Sequence, residues 1–436
     1  MHILASDAAA AVKGRLVGPD IEFDGATQDS RDLIAGQLFV PVVAERDGHE
    51  FIAQALAGGA AAYLTSHDTV GGTAIEVTDT VDALQRLGRL ARGRLDGPVV
   101  AITGSVGKTS TKDLIASALA PSMATHASEK SFNNELGVPL TLLNAPDDTA
   151  VAVLEMGSRG AGDIRFLCDI AGPEIGVVTS VGMVHTSEFG SFAAVIDAKA
   201  ELVEALPSSG IAVLNAEIAE VAAMAQRTAA RSVTFGVGVG DVRAVLVEVA
   251  NDLTSTFRIE SDWDSFDVRL GARGEHNVAN AAAAAAVALI LGVSRESIVG
   301  GLASPRHSPW RMELSTASSG LVVVNDAYNA NPLSVSAALR ALADLPARRR
   351  VAVLAIMAEL GEVEAEEHAR IGALAVDLGI EVIAISAPAY NAPVDVDDQA
   401  GAIVALGDLG EGDAVLVKGS RVAALELLAA ELIAGD

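Results

Sequence analysis

A short run near the first quarter of the chain holds the residue types of a phosphate cradle. Gly104-Ser105-Val106-Gly107-Lys108-Thr109-Ser110 sets two glycines, a lysine and hydroxyl residues in close order. Glycine lets the backbone curl so that several N–H groups converge on one anion, and a helix N-terminus behind them adds partial positive charge. Lys108 adds a full charge, and Thr109 is placed to offer its hydroxyl to Mg²⁺. The spacing is Gly-x-x-Gly-Lys-Thr, with Ile102 standing where the longer P-loop spacing has a further glycine. The plain alternative is a strand–turn–helix whose lysine is merely solvated.

Further chemistry-bearing residues follow apolar runs. Glu155, in Leu154-Glu155-Met156-Gly157, puts a carboxylate at the end of a buried strand. Ligands of an open α/β sheet bind outside such strand ends, so Glu155 is placed to hold Mg²⁺ near a γ-phosphate. Thr179 to His185 leaves another strand and delivers a histidine, readable as a metal ligand, a phosphate contact or a plain loop residue. Lys199, by itself, reads as a surface lysine on an amphipathic helix. Asn277 and Asn280 are three apart at the start of an Ala-rich helix and share one face. They read as caps or as groups that meet an adenine edge. Arg311 precedes a second α/β unit, where a hinge arginine could clamp a phosphoryl group. The polar run Asn325-Asp326-Ala327-Tyr328-Asn329-Ala330-Asn331-Pro332 also follows an apolar strand.

The elements that must position these groups form an α/β pattern. Pro98–Ile102 predicts a buried strand before the cradle, and Lys112–Leu119 the helix after it. Val151–Leu154 and Ile175–Thr179 are continuous apolar runs, as strands buried on both faces should be. Residues 232–272 alternate and predict a small antiparallel excursion. Runs at 321–324, 351–356, 382–385 and 414–417 alternate with helical stretches, as in a doubly wound unit. An Arg-rich helix over 83–94 ends at Asp96-Gly97-Pro98, a helix stop and a domain boundary. The expected division is 1–96, 97–312 and 313–436.

Composition sets limits on function. A net charge of −27 disfavours nonspecific binding to nucleic acid or anionic membranes. The single cysteine, Cys168, leaves no internal disulfide and no all-thiolate metal site. The longest apolar run, Ala281 to Val293, falls short of the ~18 residues that a membrane span needs. The N-terminal residues lack the regions of a signal peptide. A soluble cytoplasmic protein is expected.

Taken together, the strings of this chain resemble the Mur ligase family of peptidoglycan synthesis over essentially the full length. They include Asp29-Ser30-Arg31, Asp47-Gly48-His49, Phe132-Asn133-Asn134-Glu135, Leu154-Glu155-Met156-Gly157, Gly274-Glu275-His276-Asn277, Tyr328-Asn329-Ala330-Asn331-Pro332 and Lys418-Gly419-Ser420-Arg421. The Phe-Asn-Asn-Glu and Tyr-Asn-Ala-Asn-Pro strings resemble the branch that adds a dipeptide. The resemblance implies three α/β domains. They are a small mixed N-terminal domain for a UDP-sugar peptide, a central P-loop parallel-sheet ATPase domain, and a Rossmann-like C-terminal domain that closes over both. It implies an ATP- and Mg²⁺-dependent amide ligase working through an acyl phosphate, a monomer acting on UDP-N-acetylmuramoyl-tripeptide and D-alanyl-D-alanine. Nucleic-acid binding and membrane insertion form no part of it.

The resemblance also assigns residues. Gly104, Ser105, Gly107, Lys108, Thr109 and Ser110 hold the phosphates. Thr109 and Glu155 hold one Mg²⁺, and His185 helps hold a second. Lys199 matches a lysine that many members carry as a carbamate. Asn277 and Asn280 face the adenine, while Arg311 and Asp326 meet the nucleotide from the other side. Ser30 and Arg31 fall where UDP is held; Asn133, Asn134 and Asn329 join the substrate side. The chain departs from the family pattern at Pro41–Asp47, which lacks a glycine and is one residue short. It also departs at Ser180, where the family has Asn, and at Leu354-Ala355-Ile356-Met357, which lacks an acidic residue. A sister ligase with another acceptor or acid, and a P-loop switch protein, are the alternatives. Acceptor-dependent phosphate release separates ligase from switch.

Overall fold

The computed structural model describes residues 1–129, 131–182 and 189–435. Its centre is a nine-stranded sheet whose strand Val99–Thr103 lies between Val151–Glu155 and Ile175–Val178, all parallel. Every residue of Val99–Thr103 and of Val151–Glu155 is buried, which is why these segments read as unbroken apolar runs. After Val151–Glu155 the chain crosses to the opposite side of Val99–Thr103. The cradle therefore opens at a point where the direction of winding reverses, the usual ligand crevice of an open α/β sheet.

The excursion expected over 232–272 is part of this same sheet. Arg231–Val237 pairs in parallel with Ile211–Asn215, and Val242–Val249, Ser255–Glu260 and Ser265–Leu270 extend the edge, the last two pairings antiparallel. Helix Lys108–Leu119 lies against helix His276–Ile290, whose Ala281–Ala288 stretch is fully buried. Small side chains let these two helix backbones approach closely. Helix Arg295–Ala303 also approaches closely: a Cβ on Gly301 would stand 2.0 Å from the Ser117 carbonyl oxygen.

Before this unit comes a five-stranded sheet of short strands, with a two-stranded ribbon of His2–Leu4 and Glu22–Asp24. The Arg-rich helix runs over Thr80–Arg92, starting earlier than expected because Asp79 caps it, accepting from the Val81 and Asp82 N–H groups. Its Arg92 Nε donates to the carbonyl of Ala171, the end of a central helix, at 2.8 Å. Cations at helix C-termini are favoured by the helix dipole. Gly88 of the same helix leaves room for Pro139; a Cβ there would meet it at 2.5 Å. After the central unit, a six-stranded sheet is parallel except for its edge strand Glu313–Thr316. No described helix is long and apolar enough to cross a membrane.

Candidate active site

The central and C-terminal units, with Gln85 from helix Thr80–Arg92 of the first, line one cleft of about 1140 Å³. Its floor is the cradle. Gly104 and Gly107 have φ of 150° and 82°, and Cβ atoms there would stand 2.0 Å from Thr179 Oγ1 and 2.9 Å from Asn280 Oδ1. Only glycine is free of both strain and collision at these positions. Ser180 Oγ accepts from the Val106 N–H at 2.9 Å, so the serine that departs from the family pattern braces the loop. Lys108 Nζ folds back and donates to the Gly104 carbonyl at 2.7 Å. Enclosure lowers its pKa, Glu155 opposes that shift, and Arg311 adds to it.

Above the floor, one hydroxyl joins three elements. Thr109 Oγ1 donates to Glu155 Oε2 at 2.7 Å and accepts from the Arg311 guanidinium at 2.8 Å. The other Glu155 oxygen accepts from Asn133 Nδ2 at 2.8 Å. Thr109 and Glu155 are 3% and 1% exposed. A buried carboxylate with both oxygens engaged is held in one orientation. Arg311 also lies over the Tyr328 ring at 4.3 Å, and its Nε is buried without a hydrogen-bond partner among the described residues. The residues flanking Arg311, Trp310 and Met312, have φ of 59° and 52°, a left-handed backbone uncommon for non-glycine residues.

Lys199 corrects the reading made from the residue alone. It is 2% exposed, inside helix Phe192–Glu204, and its Nζ donates to Ser158 Oγ at 2.6 Å. Burial, reinforced by Lys108, brings its pKa down to about 7, against the pull of Asp163 and Glu201. The sequence did hold a signal: Val195 and Leu202 stand four before and three after Lys199, and both are buried.

The other expected residues divide clearly. Gly104, Ser105, Gly107, Ser110, Asn133, Asn134, Asn277, Asn280, Asp326 and Asn329 line the cleft. Asn277 and Asn280 do not cap the helix. Asn280 Nδ2 donates to Asn277 Oδ1 at 2.9 Å, and Asn277 Nδ2 to the Arg273 carbonyl at 2.8 Å. Asn277 Nδ2 also lies 3.4 Å from His276 Nε2, while the Asn280 amide nitrogen has a second proton to offer a ligand. Asn134 accepts from the Gly137 N–H through its side chain, so part of its role is local. Asp326 is ion-paired to Lys418, which also donates to the Asn329 carbonyl at 2.9 Å. Ser30 and Arg31 are not in the cleft; Arg31 is exposed and pairs with Asp29. His185 lies outside the described residues.

Residue-by-residue reading missed several cleft groups: Ser158 beneath Lys199, Tyr328 beneath Arg311, Lys418, and Gln85 of the first unit. Lys418 stood in a recognised string but had no role assigned.

Comparison with known proteins follows the same outline. Residues 102–288 match the Mur ligase middle domain, and residues 310–421 the Mur ligase glutamate ligase domain. The UDP-N-acetylmuramoyl-tripeptide–D-alanyl-D-alanine ligase of Mycobacterium tuberculosis is 40% identical, covering 97% of this chain and 93% of its own. That of Escherichia coli is 34% identical, over 95% of each. The crystal structure of MurF from Acinetobacter baumannii superposes with a TM-score of 0.90 at 30% identity, covering 99% of both chains. That of the Thermotoga maritima MurF ligase in complex with ADP gives 0.81 at 28% identity, over 94% of this chain and 97% of the other.

Proposed function

This chain belongs to the Mur ligase family, and on that premise we propose that it joins D-alanyl-D-alanine to UDP-N-acetylmuramoyl-tripeptide in peptidoglycan synthesis. The chain is an ATP-dependent, C–N bond-forming ligase of α/β fold. The observation that carries the site is the Thr109 hydroxyl, which meets the Glu155 carboxylate of one sheet and the Arg311 guanidinium that leads into another.

The residues fit a bound nucleotide and a magnesium ion. The cradle glycines leave space that a Cβ would close, and the buried Arg311 Nε has no partner among the described residues. Thr109 and Glu155 offer only oxygen, the donor type that hard Mg²⁺ takes. ATP supplies the phosphoryl group that turns the peptide carboxylate into an acyl phosphate, which the dipeptide amine can attack.

In this reading Lys108, the amides of Gly104–Ser110 and Arg311 balance charge that grows on the phosphates. Thr109 and Glu155 hold the magnesium, Asn133 fixes the Glu155 rotamer, and His185 joins a second ion. The lowered pKa of Lys199 leaves a large share of neutral amine near pH 7, the form that reacts with CO₂. That supports a carbamate at this position. Asn277 and Asn280 read the adenine, and Asp326 meets the nucleotide across the cleft. Ser30 and Arg31 take the uridine diphosphate, while Asn134 and Asn329 serve the peptide side. The separate sheets support a division at about residues 96 and 312. The substrates belong to the cytoplasm, and the enzyme acts there as a monomer.

The test is steady-state phosphate release by the purified chain with ATP, Mg²⁺, UDP-N-acetylmuramoyl-tripeptide and D-alanyl-D-alanine. Release that requires both the sugar peptide and the dipeptide is expected. Faster release with a single amino acid would move the chain to a sister activity. Release indifferent to any acceptor would end the ligase reading.

A further inference from the structure

The helix that starts at Lys108 carries a second set of polar groups one turn beyond the cradle. Lys112 and Asp113 are 2% and 7% exposed and pair at 3.0 Å. They follow Lys108 and Thr109 by four residues, so they share a helix face with them. Both reach the linker that leads to the C-terminal sheet. The Ser308 N–H donates to Asp113 Oδ2 at 2.7 Å, and the Ser308 hydroxyl to Asp113 Oδ1 at 3.2 Å. Lys112 Nζ donates to the Ser128 carbonyl at 2.7 Å and to Ser308 Oγ at 3.4 Å. One turn further on, the Arg306 N–H donates to Ser117 Oγ at 3.0 Å.

The linker is thus fixed through Ser308, and Pro309 fixes its own φ and restricts Ser308 before it. Left-handed backbone appears immediately afterwards, at Trp310 and Met312. Between those two residues, Arg311 returns to Thr109. One face of one helix therefore holds Ser308 through Asp113 and Arg311 through Thr109. A burial this deep would be a costly way to make an ordinary surface ion pair.

We propose that Asp113 is a positioning residue for Arg311. It anchors the central-domain end of the linker, confines the pivot to Trp310–Met312, and returns the guanidinium to the same place above Thr109. The proposal rests on the reading that Arg311 acts on the nucleotide.

Two double variants isolate the anchor. Lys112→Met with Asp113→Leu removes it, replacing a buried pair with apolar groups of similar size, a change that folded proteins often tolerate. Lys112→Met with Asp113→Asn keeps one oxygen for the Ser308 N–H. The first should lower kcat about tenfold, with KM for ATP within about twofold and an unchanged melting temperature. The second should keep kcat within about threefold of wild type. In an Arg311→Ala background the first should add less than about twofold, because the anchor acts through that arginine. Equal activity of the two double variants, or a full tenfold loss in the Arg311→Ala background, would overturn the proposal. Wild-type kcat in Arg311→Ala alone would instead overturn the functional reading of Arg311. Hydrogen exchange in the unaltered chain gives a check that needs no variant. The Ser308 amide should exchange far more slowly than an exposed linker amide, and equal rates would remove the anchor.

Discussion

The cradle and the polar surface of the first unit both carry charged side chains, yet they are built differently. Around Thr109 and Glu155 the groups are buried and bonded across elements far apart in sequence. In the first unit, Arg31 is 81% exposed at its side chain and pairs with Asp29, two residues away. Asp47 and His49 are bonded within one turn, and His49 stacks on His67 at 4.0 Å. Backbone and side-chain hydrogen bonds from His49 hold the Asp47 carboxyl below its usual range. The first arrangement is set before a ligand arrives, so its charges act at full strength in the reaction. If the second takes the uridine diphosphate as proposed, it must exchange local partners for ligand contacts, and its contribution would then be to binding with little differential effect on the chemical step.

Breaking the cradle should have the largest effect. Lys108→Ala should lower kcat by about 10²-fold or more while the melting temperature stays near wild type, since its charge serves the transition state. Phosphate-release assays beside thermal melts check this. A folded variant with near-normal turnover would erase the contrast between the two regions.

Acceptor choice should come next. A site shaped for a dipeptide leaves buried polar groups unpaired with a single amino acid, so glutamate or diaminopimelate should release phosphate about tenfold or more slowly than D-alanyl-D-alanine. Initial rates at matched acceptor concentrations measure the ratio.

Lys199→Met sharpens the comparison by removing a titrating group from the built site. Its kcat should fall about tenfold, and restoring bicarbonate to CO₂-depleted buffer should raise the wild-type rate only. Stability gives an independent reading. The folded pKa of about 7 lies below the ordinary lysine value. Below pH 7 the folded state therefore carries a buried charge, and between that pKa and the unfolded one the unfolded chain binds more protons. Relative to Lys199→Met, the wild type should gain melting temperature as pH rises from 7 towards 10. A constant difference would mean that Lys199 does not titrate there.

The smallest effect belongs to the first unit. Arg31→Ala should raise KM for the UDP-sugar peptide about fivefold and leave kcat unchanged, as expected for uniform binding. A matching fall in kcat would mean that this surface also takes part in the chemical step.

Much of the scaffold was legible because its signals are local. The strands at Val99–Thr103 and Val151–Glu155 are buried on both faces, so each is a continuous apolar run. Glu155 could be placed at a strand end from its neighbours alone. The antiparallel edge was legible from alternation, but its membership of the central sheet was not, because pairing of Arg231–Val237 with Ile211–Asn215 is nonlocal. Taken alone, Lys199 reads as a surface lysine because a lysine on a mixed helix is usually solvated, although its apolar neighbours mark the buried face.

What the sequence by itself determined is the cradle, since the glycines, lysine and threonine that make it are contiguous and their backbone needs are local. Only the tertiary structure decided what meets the cradle. Arg311 stands 202 residues from Thr109, and Ser308 is 195 from Asp113. Such contacts depend on how the sheets pack and where the linker is held, and no short stretch of sequence encodes either.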